Sequence, residues 1–152
     1  MRGFLLDTNV LSELRRPTPE PRVVDFVANQ LEADLFVSEV TFAEIRFGIE
    51  QSSEPERRAV LSAWLTNTLR PLFAGRALPV NEDVLVRWRM MVEVGRKRGY
   101  AFPQPDSFIA ATAAEAELVV VTRHTTPFVE AAVSVFDPWT GRRLDPEARG
   151  RG

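Results

Sequence analysis

The chain has no cysteine, a single histidine (His124), a single lysine (Lys97) and no long apolar run. Without cysteine there can be no disulfide, no thiolate zinc site and no cysteine nucleophile. With one histidine, a histidine pair for metal binding or proton relay cannot form within one chain. Chemistry must therefore run on carboxylates, hydroxyls or a bound metal. The longest apolar runs, such as Leu118-Val119-Val120-Val121, are far too short to cross a bilayer. The N-terminus lacks the charged and then apolar pattern of a signal peptide. These features read as a cytoplasmic protein with no membrane association. The net charge of −2 lacks the basic footprint of a nucleic-acid binder. The positive charge is carried almost wholly by arginine, whose planar fork suits phosphate and carboxylate alike. Charge alone does not choose between a nucleic acid and a protein partner.

At 152 residues, 45% of them hydrophobic, the chain is long enough for one domain with a real core. Gly3-Phe4-Leu5-Leu6, Leu35-Phe36-Val37 and Leu118 to Thr122 read as buried strands, with shorter ones at Ala77-Leu78-Pro79-Val80 and Val133 to Phe136. Between them lie helical patterns. Val10, Leu11 and Leu14 follow the cap-forming Asp7-Thr8-Asn9, and Phe42, Ile45 and Ile49 follow Ser38 or Thr41. Val60, Leu61, Trp64, Leu65 and Leu69 form a stripe after Pro55. A helix capped by Asn81 ends in the basic turn Gly95-Arg96-Lys97-Arg98-Gly99. Another opens at Pro105-Asp106. Short apolar strands alternating with helices predict an α/β sandwich around a mostly parallel sheet of about five strands flanked by helices. The domain is expected over residues 1–140, with 141–152 as a flexible tail rich in Gly, Arg, Pro and acids. In such folds ligands gather beyond the carboxyl ends of the strands. Asp7 and Thr122 sit at such ends.

Three acids stand out. Asp7 closes the first apolar run, where it reads equally as a helix cap and as a functional carboxylate projecting from a strand end. Glu44 lies among apolar residues in Thr41-Phe42-Ala43-Glu44-Ile45-Arg46-Phe47, open both to a solvated role and to a site role. Asp106 opens an alanine-rich helix, where the helix dipole alone would favour an acid. If the three converge, they form an acidic pocket that is costly without a cation. Oxygen-only ligands favour Mg²⁺ or Mn²⁺ over zinc, and those metals activate water at a phosphodiester.

The chain resembles the PIN-domain family, in particular its VapC and FitB-like toxins. The resemblance rests on Leu5-Leu6-Asp7-Thr8-Asn9-Val10-Leu11-Ser12-Glu13-Leu14 and on the run from Val37 to Ile49. It continues through Pro105-Asp106-Ser107-Phe108-Ile109-Ala110-Ala111-Thr112-Ala113, Val120-Val121-Thr122-Arg123 and Val135-Phe136-Asp137-Pro138-Trp139, in order over about residues 4 to 139. The likeness implies a PIN-like three-layer sandwich with Asp7, Glu44 and Asp106 as the catalytic, metal-binding acids. It also implies a cytoplasmic Mg²⁺- or Mn²⁺-dependent endoribonuclease, a homodimer, an RNA substrate and a cognate antitoxin partner. Thr8, Asn9, Thr122 and His124 are second-rank residues lining the site, with Thr122 expected near the pocket mouth. Ser12 and Glu13 match the family, but helix capping accounts for them as well. One motif departs from the pattern: His124 and Pro127 stand where the family has Asn and Asp, so a fourth carboxylate is missing from its usual place. Arg15, Arg16, Arg46, Arg96, Lys97, Arg98 and Arg123 are candidates for RNA phosphates, though each is also an ordinary surface charge. Trp64, Trp88, Phe47 and Phe73 read as core or dimer contacts.

Two other functions fit part of the pattern. The gap at Pro127 suits a catalytically inactive PIN-like module that binds antitoxin and nucleic acid without cutting. The strand-end Asp7 suits a phosphotransferase or phosphatase. Asn9, standing where the common phosphatase pattern has a second aspartate, and the lack of a Gly-rich phosphate loop argue against the latter.

Overall fold

Phe4, Leu5 and Leu6 are all buried, and their side chains alternate between two separate cores. This alternation, dictated by the two-residue period of a strand, sets the architecture. The computed structural model describes residues 3–146. Strand β1 (Phe4–Leu6) lies at the centre of a six-stranded sheet of order β3-β2-β1-β4-β5-β6. Its neighbours are β2 (Leu35–Ser38) and β4 (Val119–Val121), paired through Leu5 with Phe36 and with Val120. β3 (Ala77–Leu78) extends one side and β5 (Val135–Asp137) the other, all parallel. β6 (Arg142–Leu144) then pairs antiparallel with β5, placing Leu144 opposite Val135.

Helices cover both faces, which is why the strands read as continuous apolar runs. On one face Phe4, Leu6, Val119 and Val121 pack against Val10, Leu11, Val23 and Phe42, which come from helices α1 (Thr8–Arg15), α2 (Pro21–Ala28) and α3 (Glu39–Glu50). Helix α4 (Pro55–Trp64) joins this layer through Leu61 and Trp64. It then passes through a π-helical turn (Leu65–Leu69) into the short α5 (Arg70–Leu72). The opposite face packs Leu5, Val120 and Val135 against Ile109, Ala110 and Ala113 of α7 (Asp106–Ala116) and Phe128 of α8 (Thr126–Glu130). Helix α6 (Glu82–Lys97) lies against α7. Among the described residues, no helix is long and apolar enough to cross a membrane.

Several expectations shift. The sheet has a sixth strand because residues 142–144, expected within a flexible tail, pair with β5. The amides of Thr140 and Gly141 bond the Asp137 carbonyl, and Gly141 takes φ +79° to turn the chain back. The remainder of that expected tail, 147–152, lies outside the described residues. Val60 leaves its expected apolar stripe and is 62% exposed, because the buried side of α4 and of the π-helical turn after it runs through Leu61, Trp64, Leu65 and Leu69. Helix α8, five residues long, is too short to leave a helical period in the sequence. Ser38, rather than Thr41, caps α3 by accepting from the Val40 amide.

Gly95 does not end α6, which continues to Lys97, with Gly99 adopting φ +79° just beyond it. Its role is close approach. A methyl at Gly95 would lie 2.7 Å from the Phe102 ring and 2.8 Å from the Tyr100 carbonyl oxygen, in the segment that leads to Asp106. Gly95→Ala is expected to destabilise the fold by about 1–3 kcal/mol, as overpacking does, visible as a lower urea midpoint. An unchanged midpoint would show that this segment yields freely.

Candidate active site: an acidic cleft at the switch in strand order

The chain runs from β1 to β2 on one side and reaches β4 on the other, so strand order reverses at β1. Crevices beyond the carboxyl ends of the strands form at such reversals. Asp7 ends β1 at this point and is the N-cap of α1, its Oδ1 accepting from the Thr8 amide at 2.8 Å. Its own amide donates to the Val121 carbonyl at 3.0 Å, continuing the sheet. Oδ2 accepts from the Thr122 hydroxyl at 2.8 Å and from Asn9 Nδ2 at 3.3 Å. Asp7 is only 4% exposed. Helix capping and a site role, alternatives in the sequence, are thus combined in one side chain.

Thr8 links two of the acids. While its amide holds Asp7, its hydroxyl donates to Glu44 Oε1 at 2.8 Å and lies 3.2 Å from the Thr41 hydroxyl. Helix α3 begins directly at the end of β2, and Glu44, at its sixth position, thereby faces α1. Asn9 ties the ends of β1 and β4 together. Its Nδ2 donates to Thr122 Oγ1 at 2.9 Å, and its Oδ1 accepts from the Arg123 amide at 3.2 Å. Thr122 Oγ1 also accepts from the His124 amide at 3.0 Å. Thr122 is completely buried beneath Asp7. It is therefore a support for the carboxylate, not a residue of the pocket mouth as expected. Its hydroxyl, just past the carboxyl end of a fully buried strand, is turned to Asp7 and Asn9 and away from solvent.

Asp106 is the first residue of α7 and is partly exposed. His124 reaches over from the segment after β4, its Nε2 lying 3.8 Å from Asp106 Oδ2, with most of the imidazole in solvent. Together Asp7, Thr8, Asn9, Glu44, Asp106 and His124 line one cleft of about 590 Å³. Pro127 is buried in the first turn of α8 and does not line the cleft. The sequence position that lacks its usual acid therefore contributes no side chain to this cleft.

Burial raises all three carboxyls above their ordinary values. For Asp7 it outweighs the bonds from Thr122 and Thr8, and the nearby charge of Asp106 adds to it. For Glu44 it outweighs the Thr8 bond, with repulsion from Asp7 and Asp106 in the same direction. For Asp106 it outweighs the attraction of His124. A poorly solvated floor carrying three acids would favour a cation, and its carboxylate donors are all oxygens. The donor chemistry thus fits Mg²⁺ or Mn²⁺. Among the described residues, no three His, Asp or Glu side chains are drawn together closely enough to hold a metal ion as they stand.

The cleft is also lined by Ser12, Glu13, Arg16, Arg123 and Trp139. Glu13 is not a capping residue. It is buried, and it accepts from the Glu20 amide at 2.9 Å and from Arg16 at 3.2 Å, pinning the loop between α1 and α2 and lowering its own pKa. Sequence reasoning missed Trp139 as a cleft residue. Its signal was an aromatic closing the last strand motif, just before the composition changes. Of the other basic candidates, Arg15 lies over Trp64, Arg96 pairs with Glu93 and Arg98 with Glu130, while Arg46 and Lys97 lie outside the cleft lining. Phe73 is buried as expected, but Phe47 is 66% exposed.

The PIN domain profile matches residues 4–132. The chain belongs to the PIN-domain family. It is 39% identical over 136 residues to Toxin FitB of Neisseria gonorrhoeae, covering 90% of this chain and 98% of FitB. It is 33% identical to the VapC ribonuclease Y4jK of Sinorhizobium fredii over 90% of this chain and 97% of that protein. The crystal structure of FitAcB from Neisseria gonorrhoeae superposes with a TM-score of 0.85 at 39% identity, covering 90% of this chain and 98% of that one. VapBC-5 of Mycobacterium tuberculosis, a member of the VapBC family of toxin-antitoxin systems, superposes with a TM-score of 0.55 at 26% identity, over 81% and 86% of the two chains. This PIN-domain protein is therefore related to the FitB and VapC toxins.

Raised carboxyls have a consequence for pH. Above the ordinary values of 3.8 for Asp and 4.5 for Glu, the folded PIN domain retains protons that the unfolded chain has released. Its stability must then fall as pH rises through the folded values. Asp7→Asn removes the most deeply buried of these charges. In metal-free buffer it is expected to flatten that fall and to raise the melting temperature at neutral pH. Melting curves across pH check this, and a variant that melts lower than wild type at neutral pH would contradict it.

Proposed function

We propose that the protein is the toxin of a toxin–antitoxin pair, a Mg²⁺- or Mn²⁺-dependent endoribonuclease that works as a homodimer in the cytoplasm and is neutralised by a cognate antitoxin. The observation that carries this reading is the meeting of Asp7, Glu44 and Asp106 in one cleft where burial disfavours their negative charge. The relationship to a named toxin and a named ribonuclease supports the same reading.

Asp7, Glu44 and Asp106 would hold the metal, which when bound supplies an activated water and stabilises charge on the phosphodiester. Thr8 fixes the spacing of two of these acids, because its amide and hydroxyl bond Asp7 and Glu44 at the same time. Asn9 and Thr122 orient Asp7 from below. His124 stands at the rim beside Asp106, its Nε2 3.8 Å from the carboxylate, and would line the site there.

A second reading has one observation in its favour. With Pro127 buried in α8 where the family pattern has an acid, the chain lacks one carboxylate of that pattern, which suits a module that binds antitoxin and nucleic acid without cutting.

Purified protein free of antitoxin should cleave RNA with Mg²⁺ or Mn²⁺, and EDTA should abolish this. Asp7→Asn, Glu44→Gln and Asp106→Asn should each reduce cleavage by on the order of a hundredfold or more, the loss of a metal contribution worth several kcal/mol, while circular dichroism stays native. In the same preparations Mn²⁺ should raise the melting temperature of wild type but not of Asp7→Asn. No cleavage across varied RNA, from folded protein that Mn²⁺ stabilises, would favour the non-catalytic module.

A further inference from the structure

Opposite in charge to the acidic floor, one lip of the cleft is built from arginine and tryptophan. Arg16 follows α1, Arg123 follows β4 and Trp139 follows β5, so the topology of the sheet brings three separate segments to one side of Asp7. The same residues also line a second, adjoining hollow of about 300 Å³ that extends along Thr18, Pro19 and Pro21. A continuous path therefore runs from the acids, past both arginines and onto the surface.

The lip is held in place rather than loosely exposed. The Arg123 guanidinium lies over the Trp139 ring, 5.2 Å from its centre. Trp139 is fixed in turn, its amide donating to Asp137 Oδ1 at 2.8 Å and its carbonyl accepting from Arg22 at 2.8 Å. Its ring packs on the first core. Arg16 is anchored by Glu13, whose buried carboxylate is fully engaged with Arg16 and the Glu20 amide. Arg16 still exposes 64% of its side chain. Glu13 and Glu20 offset part of the positive charge of this hollow, so its attraction for anions is local and directional rather than a broad basic field.

We propose that Arg16 and Arg123, the latter braced on Trp139, form a nucleotide subsite that grips single-stranded RNA beside the scissile phosphate. This rests on the ribonuclease reading of the acidic cleft and assigns its substrate path. An acidic floor repels the phosphates that flank the bond to be cut, and arginine forks at its edge supply the compensating contacts. A guanidinium held over an aromatic ring also offers a surface on which an unpaired base can stack. A carboxylate-bearing protein segment would use the forks but not that surface, which favours RNA.

The test uses antitoxin-free full-length protein and a fluorescein-labelled single-stranded RNA oligomer, with binding followed by anisotropy in EDTA across a salt titration. Arg16→Gln with Arg123→Gln should weaken binding about tenfold and lower the salt slope by about 1.4, near 0.7 for each lost phosphate contact on a single strand. Trp139→Leu should weaken binding about fivefold, as loss of a stacking surface does, with little change in salt slope. Trp139→Phe should largely restore it, which separates the stacking role from a folding defect. With Mn²⁺ present, the double arginine variant should show a KM rise larger than its fall in kcat. Unchanged RNA affinity and salt slope in the folded double variant would overturn the subsite, even if wild type cuts RNA. Tighter binding of a polyglutamate peptide than of the RNA, lost in the same variant, would also overturn it and reassign the lip to an acidic protein segment. Arginine-dependent RNA binding by a protein that never cuts would uphold the subsite while defeating the nuclease reading.

Discussion

The Asp7 carboxylate is the constraint on which the site depends. It is buried where the central strand ends, and a buried carboxylate is tolerated only if its oxygens are satisfied. Here the partners are the Thr8 amide, the Thr122 hydroxyl and the Asn9 amide group. Those partners come from the start of α1 and the end of β4, so satisfying one charge also locks together the two central strands and the first helix. The bonds do not fully repay burial, and the carboxyl remains raised above its ordinary value. That residual instability at the floor is the physical basis for reading the cleft as a place for a cation.

The remaining acids arrive by topology. β2 leads directly into α3, and α7 leads back into β4, so both helices begin or pass near the same edge of the sheet. Glu44 reaches the cleft from the second turn of one and Asp106 from the first residue of the other. Asp106 sits where the helix dipole favours an anion, yet its carboxyl is also raised. Burial outweighs the attraction of His124. The cleft is thus a negative site that the scaffold positions without neutralising.

Beside it the arginine and tryptophan lip carries the opposite sign. The arginine-rich composition looked uninformative because guanidinium groups also pair with glutamates and aromatic rings far from the cleft, as at Arg96, Arg98 and Arg15. Selection by position, rather than by total charge, is what makes Arg16 and Arg123 distinctive.

Much of this was legible in the sequence. The strands at Phe4, Leu35 and Val119 announced themselves because burial on both faces forces continuous apolar runs, and Asp7 stood out as a charge at the end of one. The PIN resemblance, carried by ordered motifs, named Glu44 and Asp106 as its companions. What could not be read was anything set by contacts distant in the chain. Thr122 was expected at the mouth and lies at the floor, because only the pairing of β1 with β4 puts its hydroxyl under Asp7. Glu13 matched a motif, but its buried bond to the Glu20 amide depends on how the following loop folds back. Residues 142–144 have a tail's composition, yet they form a strand because β5 offers an open edge for pairing. By itself the sequence determined which residues are apolar, which are acidic and in what order they come. Tertiary structure alone decided which acids meet and which arginines stand beside them, since those neighbours are joined through the sheet and not along the chain.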